Sequence, residues 1–579
     1  MTYTVKNKRI VFMNDQKIEN LLNLALEATP GERERSPELE AGYNPREETW
    51  QVIIRYSETL RESLKPEWEF TPLSGGYGIL VLPWQDLEAL AALPQIQYIE
   101  KPKRLFFSLD KGRAASCLSA VQNARYDLQG RGVIVAVIDS GADYFHPDFR
   151  KEDGSTRILE LWDQEADRIY SQEEINRALE AGSREAGYEI VGERDLSGHG
   201  TQVLAIAAGN GRASGGQYRG VAPESDLLVV KLGLAPRDGF PRTAEVMTAV
   251  EYVIRKAEAL GKPVSVNLSF GNVYGSHRGT SLLETYLELM ADQWKTVISV
   301  GTGNEGGTGG HASGTVSSEE PSQIELLIQE FETGLSLQIW KNYADQYRVT
   351  IVHPNGQEAG PLGQEAGTAR YRLGRTELLV YYGMPSPYQG LQEIYVEFLP
   401  GEVYLDEGTW RILLTPLRIV NGEYDMWLSD ARVRNRGTRF LQPSPLATMT
   451  IPATAGRVIS VGAYDARRQQ YAVFSGRGWP EQKLYALPDL AAPGVEVTTA
   501  APGGGYVSVT GTSFAVPFVA GAAALLMEWG ITEGNDPFLY GEKVKAYLQR
   551  GARQLPGFSS WPNSELGYGV LCVRDSLPE

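Results

Sequence analysis

The chain has 579 residues, more than one hydrophobic core supports, so about two to four domains are expected. Hydrophobic residues make up 42% and charged residues 22%, an ordinary globular balance, and a formal net charge of −17 sets the chain against nucleic-acid phosphates. Two cysteines, Cys117 and Cys572, make no disulfide framework; buried free thiols in a reducing compartment are the expectation.

The N-terminus, Met1-Thr2-Tyr3-Thr4-Val5-Lys6, has no apolar core of a secretory signal, and no apolar run approaches the length of a membrane span. Residues 1–47 read as an extension: a helix over Gln16–Ala28, then a charged stretch, Gly31–Glu40, whose two flanking and internal prolines (Pro30, Pro37) suggest a solvated linker. Residues 48–108 read as a small α+β unit. Trp50–Tyr56, Gly78–Leu82 and Gln97–Glu100 have strand composition, and Pro83–Leu93 places Leu87, Leu90 and Leu93 on one helical face. A unit of that size is marginal alone and is more stable docked on a partner surface.

Residues 109–306 alternate β and α signals, the pattern of a parallel sheet in an α/β domain. Val133–Ile138 is a β-branched run expected of a strand buried on both faces, and it stops at Asp139-Ser140-Gly141. Helices are expected over Thr201–Ala208 and Val246–Leu260, strands over Leu227–Leu232, Val264–Ser269 and Thr296–Gly301. From 307 to 446 the helical period vanishes. Short strands such as Gln323–Gln329, Leu335–Trp340, Leu378–Tyr382 and Thr409–Thr415 alternate with Gly, Pro, Asn and Asp turns, the texture of an antiparallel sandwich or jelly roll. The α/β texture resumes over 447–579, so the β unit reads as an insert within one α/β domain.

Ser513 lies in Gly511-Thr512-Ser513-Phe514-Ala515-Val516-Pro517, a glycine turn feeding an Ala- and Leu-rich helix. Its hydroxyl sits in the positive field of a helix N-terminus, either as a plain N-cap or as a nucleophile that needs a base and an orienting group. His199, in Ser197-Gly198-His199-Gly200-Thr201, has a distinctive setting among only five histidines. Asp139, at a strand's carboxyl end, stands where it could orient a histidine. Asn304, in Gly303-Asn304-Glu305-Gly306, could donate to a developing oxyanion. His146, with Asp143 and Asp148 nearby, offers too few ligands for a metal site and reads as a hydrogen-bonded loop.

In the order Asp139, His199, Ser513, with Asn304 between the last two, these four blocks resemble the signature blocks of the subtilisin-like serine proteases. Phe514 and Val516 depart from the family's usual Met and Ser, from which packing differences alone are expected; Gly567-Tyr568-Gly569-Val570-Leu571 is typical of it. The resemblance implies a three-layer fold on a central parallel sheet, in which Ser513 attacks, His199 shuttles the proton, Asp139 orients His199, and Asn304 with the Ser513 N–H binds the oxyanion. It implies that Ser269-Phe270-Gly271 pairs with an extended substrate and that Thr450 floors an S1 pocket of moderate size. It also makes residues 48–108 similar to the family's propeptide, cut by the enzyme itself between about Tyr98 and Lys111. No cofactor or metal is expected, and no carboxylate-dense calcium loop is found.

A narrower resemblance is to the clostridial Csp germination proteases. It rests on Ser36-Pro37-Glu38-Leu39, Gly42-Tyr43-Asn44, Glu100-Lys101-Pro102-Lys103-Arg104-Leu105, the inserted jelly roll and the long Asp139-to-His199 spacing (199 − 139 = 60). It implies limited proteolysis of a spore-cortex lytic enzyme, a cleaved propeptide that stays in the active site, and a cytoplasmic or spore-associated protein. A general intracellular or secreted subtilase, and a catalytically silent scaffold, are the alternatives.

Overall fold

Nine strands form the central sheet of the computed structural model. The structure describes residues 15–578 apart from 46, 58–59, 61–62, 104–105, 108–113, 124–125, 235–239, 363–366 and 481–486. Ile134–Asp139 lies mid-sheet, parallel to Asp226–Lys231 on one side and Val264–Leu268 on the other. Thr296–Gly301 and Ile459–Asp465 extend the sheet in parallel; Arg168–Ser171 and Gln470–Tyr471 are its antiparallel edges. Every residue of the middle strand is buried, which is why it reads as an unbroken apolar run.

Its side chains alternate between two cores. Val133, Val135 and Val137 face the helices His199–Ala208 and Thr512–Met527. Ile134, Ala136 and Ile138 face Thr243–Ala259 and Leu282–Ala291. The helix running from Thr512 to Thr532 is long and apolar enough to cross a membrane, contrary to the sequence expectation, but 89% of its apolar window is buried inside the protein. Its apolarity serves a core contacted on all sides.

The N-terminal unit is an antiparallel sheet in the order Tyr43–Asn44, Thr49–Tyr56, Tyr77–Pro83, Glu69–Leu73, with Ile96–Glu100 also paired to Thr49–Tyr56. One face, through Ile53, Leu73, Tyr77, Ile79 and Tyr98, joins the core over the helices at 243–259 and 282–291. The charged stretch is no linker. Pro30–Glu34 is a helix with a Thr29–Glu32 capping box, Pro37–Glu40 is another, and Leu39 is fully buried. Its charges are spent on the insert: Glu32 pairs with Arg370, Arg35 with Glu377, and Ser36 Oγ donates to Glu397.

The insert consists of two antiparallel sheets, of six and five strands, running from His311 to Phe440 and packed over one apolar core that includes Leu326, Leu337, Phe398 and Trp410. Cys117 and Cys572 are joined in a disulfide with Cα atoms 5.0 Å apart. The expectation of free thiols fails because 455 residues separate the pair, and only the fold brings them together.

Candidate active site

Asp139 closes the middle strand, and its Oδ1 accepts from His199 Nδ1 at 2.7 Å and from the Ser140 N–H at 2.7 Å. A carboxylate only accepts, so Nδ1 carries the proton and Nε2 is left basic and directed away from Asp139. Both residues are buried, Asp139 completely. The helix that carries His199 approaches the strand end so closely that a Cβ on Gly200 would lie 2.1 Å from the Gly141 carbonyl. Glycine at 200 is therefore required by distance.

Asp195 fixes this approach, and the sequence reading missed it. Its Oδ1 accepts from Ser140 Oγ at 2.8 Å and the Gly198 N–H at 2.8 Å; its Oδ2 accepts from Thr201 N–H at 2.8 Å and Thr201 Oγ1 at 2.6 Å. Ser140 Oγ accepts in turn from the Gly200 N–H at 2.9 Å. The carboxylate thus caps the His199 helix and ties it to the residue after Asp139. An Asp a few residues before a helix start was the available signal.

Ser513 is the second residue of its helix, behind Gly511. Its Oγ donates to the Ser269 carbonyl at 2.7 Å, and Ser269 Oγ donates to the Ser513 carbonyl at 2.8 Å. The second bond has a cause in the sequence. Pro517 has no N–H to give the carbonyl four residues back, which is that of Ser513, and Ser269 supplies the missing donor. The ring of Phe514 lies 5.3 Å from the His199 ring, which brings the two helix starts together at the sheet's edge. Phe514 packs directly on the imidazole.

Asn304 follows the Thr296–Gly301 strand, and its Oδ1 accepts from the Thr512 N–H at 3.1 Å and Thr512 Oγ1 at 3.2 Å. With the oxygen so held, its Nδ2 is the end left for an oxyanion beside Ser513. The next residue, Glu305, is buried; burial and the nearby Asp430 raise its pKa to about 7 against the pull of Arg434. Glu305 accepts from the Ala431 N–H at 3.2 Å and from Thr308 Oγ1 at 2.8 Å, so the Asn304 loop is anchored to the insert.

Phe270–Gly271 pairs antiparallel with Phe106–Phe107, Phe270 opposite Phe107 and Gly271 opposite Phe106. Thr450 is buried beside Gly271 and Gly303, with its N–H donating to the Thr302 carbonyl at 2.9 Å. The structure thus joins Asp139 to His199, Ser269 to Ser513, Asn304 to Thr512 and Thr450 to Gly271 and Gly303, with Phe514 of the Ser513 helix against the His199 ring. Within the range expected for self-cleavage, residues 104–105 and 108–111 lie outside the described residues. His146 is held by the Asp148 N–H at 3.2 Å, while Asp143 pairs with Arg184.

A buried Asp–His pair and a helix-leading serine at the carboxyl edge of a parallel sheet define a class of hydrolase, and comparison with known proteins agrees. The Subtilase family profile matches residues 130–368 and 435–569, so the chain belongs to the subtilase family of serine proteases. Within it the likeness is narrower. The Csp protease B prodomain profile matches residues 16–103. The solved Clostridium perfringens CspB protease is 36% identical with a TM-score of 0.76, over 80% of this chain and 96% of that one. The minor extracellular protease Vpr of Bacillus subtilis is 23% identical over 79% of this chain and 53% of its own length; serine protease AprX of the same organism is 32% identical over 26% of this chain and 27% of its own. The chain thus spans about half or less of these curated relatives.

Proposed function

We propose that the chain is a self-processing serine endopeptidase in which Ser513 Oγ attacks the scissile carbonyl as His199 Nε2 takes its proton. Asp139 holds the His199 tautomer and stabilises the imidazolium. The Asn304 amide and the Ser513 N–H receive the oxyanion, in a site where such donors act without reorganising. Collapse returns the proton to the leaving amine, and water then hydrolyses the acyl-enzyme. The observation that carries the reading is the 2.7 Å His199–Asp139 bond beside the Ser513 helix start.

The pairing of Phe106–Phe107 with Phe270–Gly271 supports a further step: the N-terminal unit is the propeptide, and its end occupies the substrate strand's place. Purified wild type is expected as two bands, with a small N-terminal fragment that co-purifies; Ser513→Ala is expected as one. A chain that remains whole and takes no fluorophosphonate would leave a silent scaffold as the better account.

The Csp prodomain match and the likeness to a CspB protease support limited proteolysis of a spore-cortex lytic enzyme during germination, and with it a cytoplasmic or spore-associated location. Incubating the purified protein with such a zymogen should release one defined fragment and cortex-lytic activity. Wholesale digestion, or none at all, would favour a general subtilase.

A further inference from the structure

We propose that Glu305 is a positioning residue for the oxyanion donor Asn304: through its carboxylate the insert holds the loop that carries Asn304, so a turn of the insert helps set the rate of the chemical step. The inference rests on the protease reading above and adds the insert to the machinery of that same site.

Asn304 and Glu305 are adjacent on the chain, and their side chains are bonded to different bodies. Asn304 Oδ1 accepts from the Thr512 N–H and Oγ1, at 3.1 and 3.2 Å, on the helix of Ser513. Both bonds are longer than the common values of about 2.9 Å for N–H and about 2.7 Å for O–H donors, so the aim of the amide depends also on where the backbone sets it. On either side the backbone is tied to the segment 474–476. The Gly303 carbonyl accepts from the Gly476 N–H at 2.9 Å, and the Gly306 N–H donates to the Phe474 carbonyl at 3.0 Å. Between these ties the Glu305 carboxylate reaches the other way, into the insert.

Its partners there sit on the turn 429–434, which follows the strand Glu423–Leu428. Glu305 Oε1 accepts from the Ala431 N–H at 3.2 Å, and Oε2 lies 3.8 Å from Arg434 Nη2. Oε2 also accepts from Thr308 Oγ1 at 2.8 Å, on the segment leading into the insert. Arg434 holds both sides. Its Nη2 donates to the Thr308 carbonyl at 3.3 Å, and its Nε and Nη1 donate to the carbonyls of Ser429 and Thr438 within the insert. The approach is close enough that a Cβ on Gly310 would lie 2.7 Å from Arg434 Nη2.

Glu305 and Arg434 are both buried. A carboxylate or guanidinium so placed loses hydration that only fixed partners offset, and both groups find those partners at the junction of loop and insert. Displacing a catalytic group by about 1 Å can cost about a hundredfold in rate, and losing an oxyanion donor outright costs about 10²–10³. One residue from such a donor, a clamp need yield only slightly to be felt in the rate.

Self-processing of the full chain reads this step without an association step, because enzyme and substrate are one molecule. Glu305→Ala should lower the first-order rate of cleavage roughly tenfold to a hundredfold, and Glu305→Gln, which keeps the acceptor for the Ala431 N–H, should recover to within about threefold of wild type. The same substitution in an Asn304→Ala chain decides the matter. There the donor to be positioned is gone, so Glu305→Ala should slow cleavage by under about threefold more. A purely structural role would slow both backgrounds alike; that result, or a Glu305→Ala chain cut at the wild-type rate, would overturn the inference. Thr308→Val, which removes one donor to Glu305 at nearly constant volume, passes through the same cycle should Glu305→Ala not fold. Slowing confined to chains that keep Asn304 supports the inference, and a wild-type rate or equal slowing in both backgrounds overturns it. Wild type that is neither cut nor labelled by a fluorophosphonate refutes the protease reading and this inference with it, whereas wild type and Glu305→Ala cut equally fast refute the positioning role alone.

Discussion

Replacing Lys103 by methionine should destabilise the N-terminal unit, and through it the fragment's hold on the rest of the molecule, more than any exposed charge change. Lys103 Nζ lies 2.6 Å from Glu100 and 2.7 Å from Glu19, with the three side chains 6%, 5% and 14% exposed. Burial opposes its charge, but the two carboxylates prevail and raise its pKa. The same segment is stitched to the helices under the N-terminal sheet: the Lys103 N–H donates to Thr243 Oγ1 at 2.9 Å, and Glu100 accepts from the Leu282 N–H at 3.0 Å. Methionine fills the volume but leaves two buried carboxylates facing each other. Removing one partner of a buried pair costs about 3–5 kcal/mol, roughly two to three and a half decades in an equilibrium constant. In a Ser513→Ala background the chain should stay whole, and the cost reads as a lower unfolding midpoint. In the active chain it reads as loss of the N-terminal fragment on gel filtration. Because burial already raises the pKa of Glu19, that carboxylate can take up a proton once Lys103 is gone, and the deficit should be smaller at pH 5 than at pH 8. Arg467→Ala, which breaks the exposed Arg467–Glu496 pair, serves as control and should cost under about 1 kcal/mol. Equal losses in the two variants, or a fragment retained in Lys103→Met, would refute the reasoning.

Asp195→Ala should lower kcat by roughly a hundredfold, the order of effect of a 1 Å misplacement, while stability falls by only about 1–2 kcal/mol for the lost cap; Asp195→Asn should recover part of both, and steady-state kinetics beside thermal unfolding separates them. Glu393 is buried near Glu19 and Lys103 and accepts from Asn20 Nδ2 at 3.0 Å; burial raises its pKa from an ordinary 4.5 to about 7. A raised acid favours the folded state while protonated, so this contribution is present below about pH 4.5 and lost as pH rises through 7. Unfolding midpoints across that window should fall less steeply in Glu393→Gln than in wild type. Cys572→Ser, or a reductant, should destabilise the chain by about 2–5 kcal/mol by releasing the Cys117–Cys572 clamp, read from unfolding with and without dithiothreitol.

What was legible in the sequence was what is local. The Ile134–Asp139 strand and the His199 and Ser513 helix starts announce themselves within a dozen residues, because burial on two faces and glycine turns leave short, strong patterns. The insert strands were also readable, since their turns recur at short intervals. The disulfide, the Lys103 cluster and the Asp195 cap were not. Each depends on partners far apart in the chain or on a hydrogen bond whose geometry composition does not encode. The Gly31–Glu40 helices were misread for a related reason. Their charges are balanced by Arg370 and Glu377, more than 300 residues away, and without those partners the stretch has the composition of a solvated loop.

Those distant contacts bear on how such an enzyme would be switched. Once the peptide bond is cut, only non-covalent contacts keep Phe106–Phe107 against Phe270–Gly271, and a two-residue pairing is too small to do so alone. Retention must come from elsewhere in the fragment. The available surfaces are the core shared with the helices at 243–259 and 282–291, the bonds of Lys103 and Glu100 to Thr243 and Leu282, and the insert contacts through Asn20, Glu32 and Arg35. Because they lie on one folded unit, they act together, and the cleft segment is held at the high effective concentration that tethering gives. Weakening the insert contacts should therefore unblock the cleft without touching any residue near Ser513. On this argument the insert serves as a second grip on the fragment.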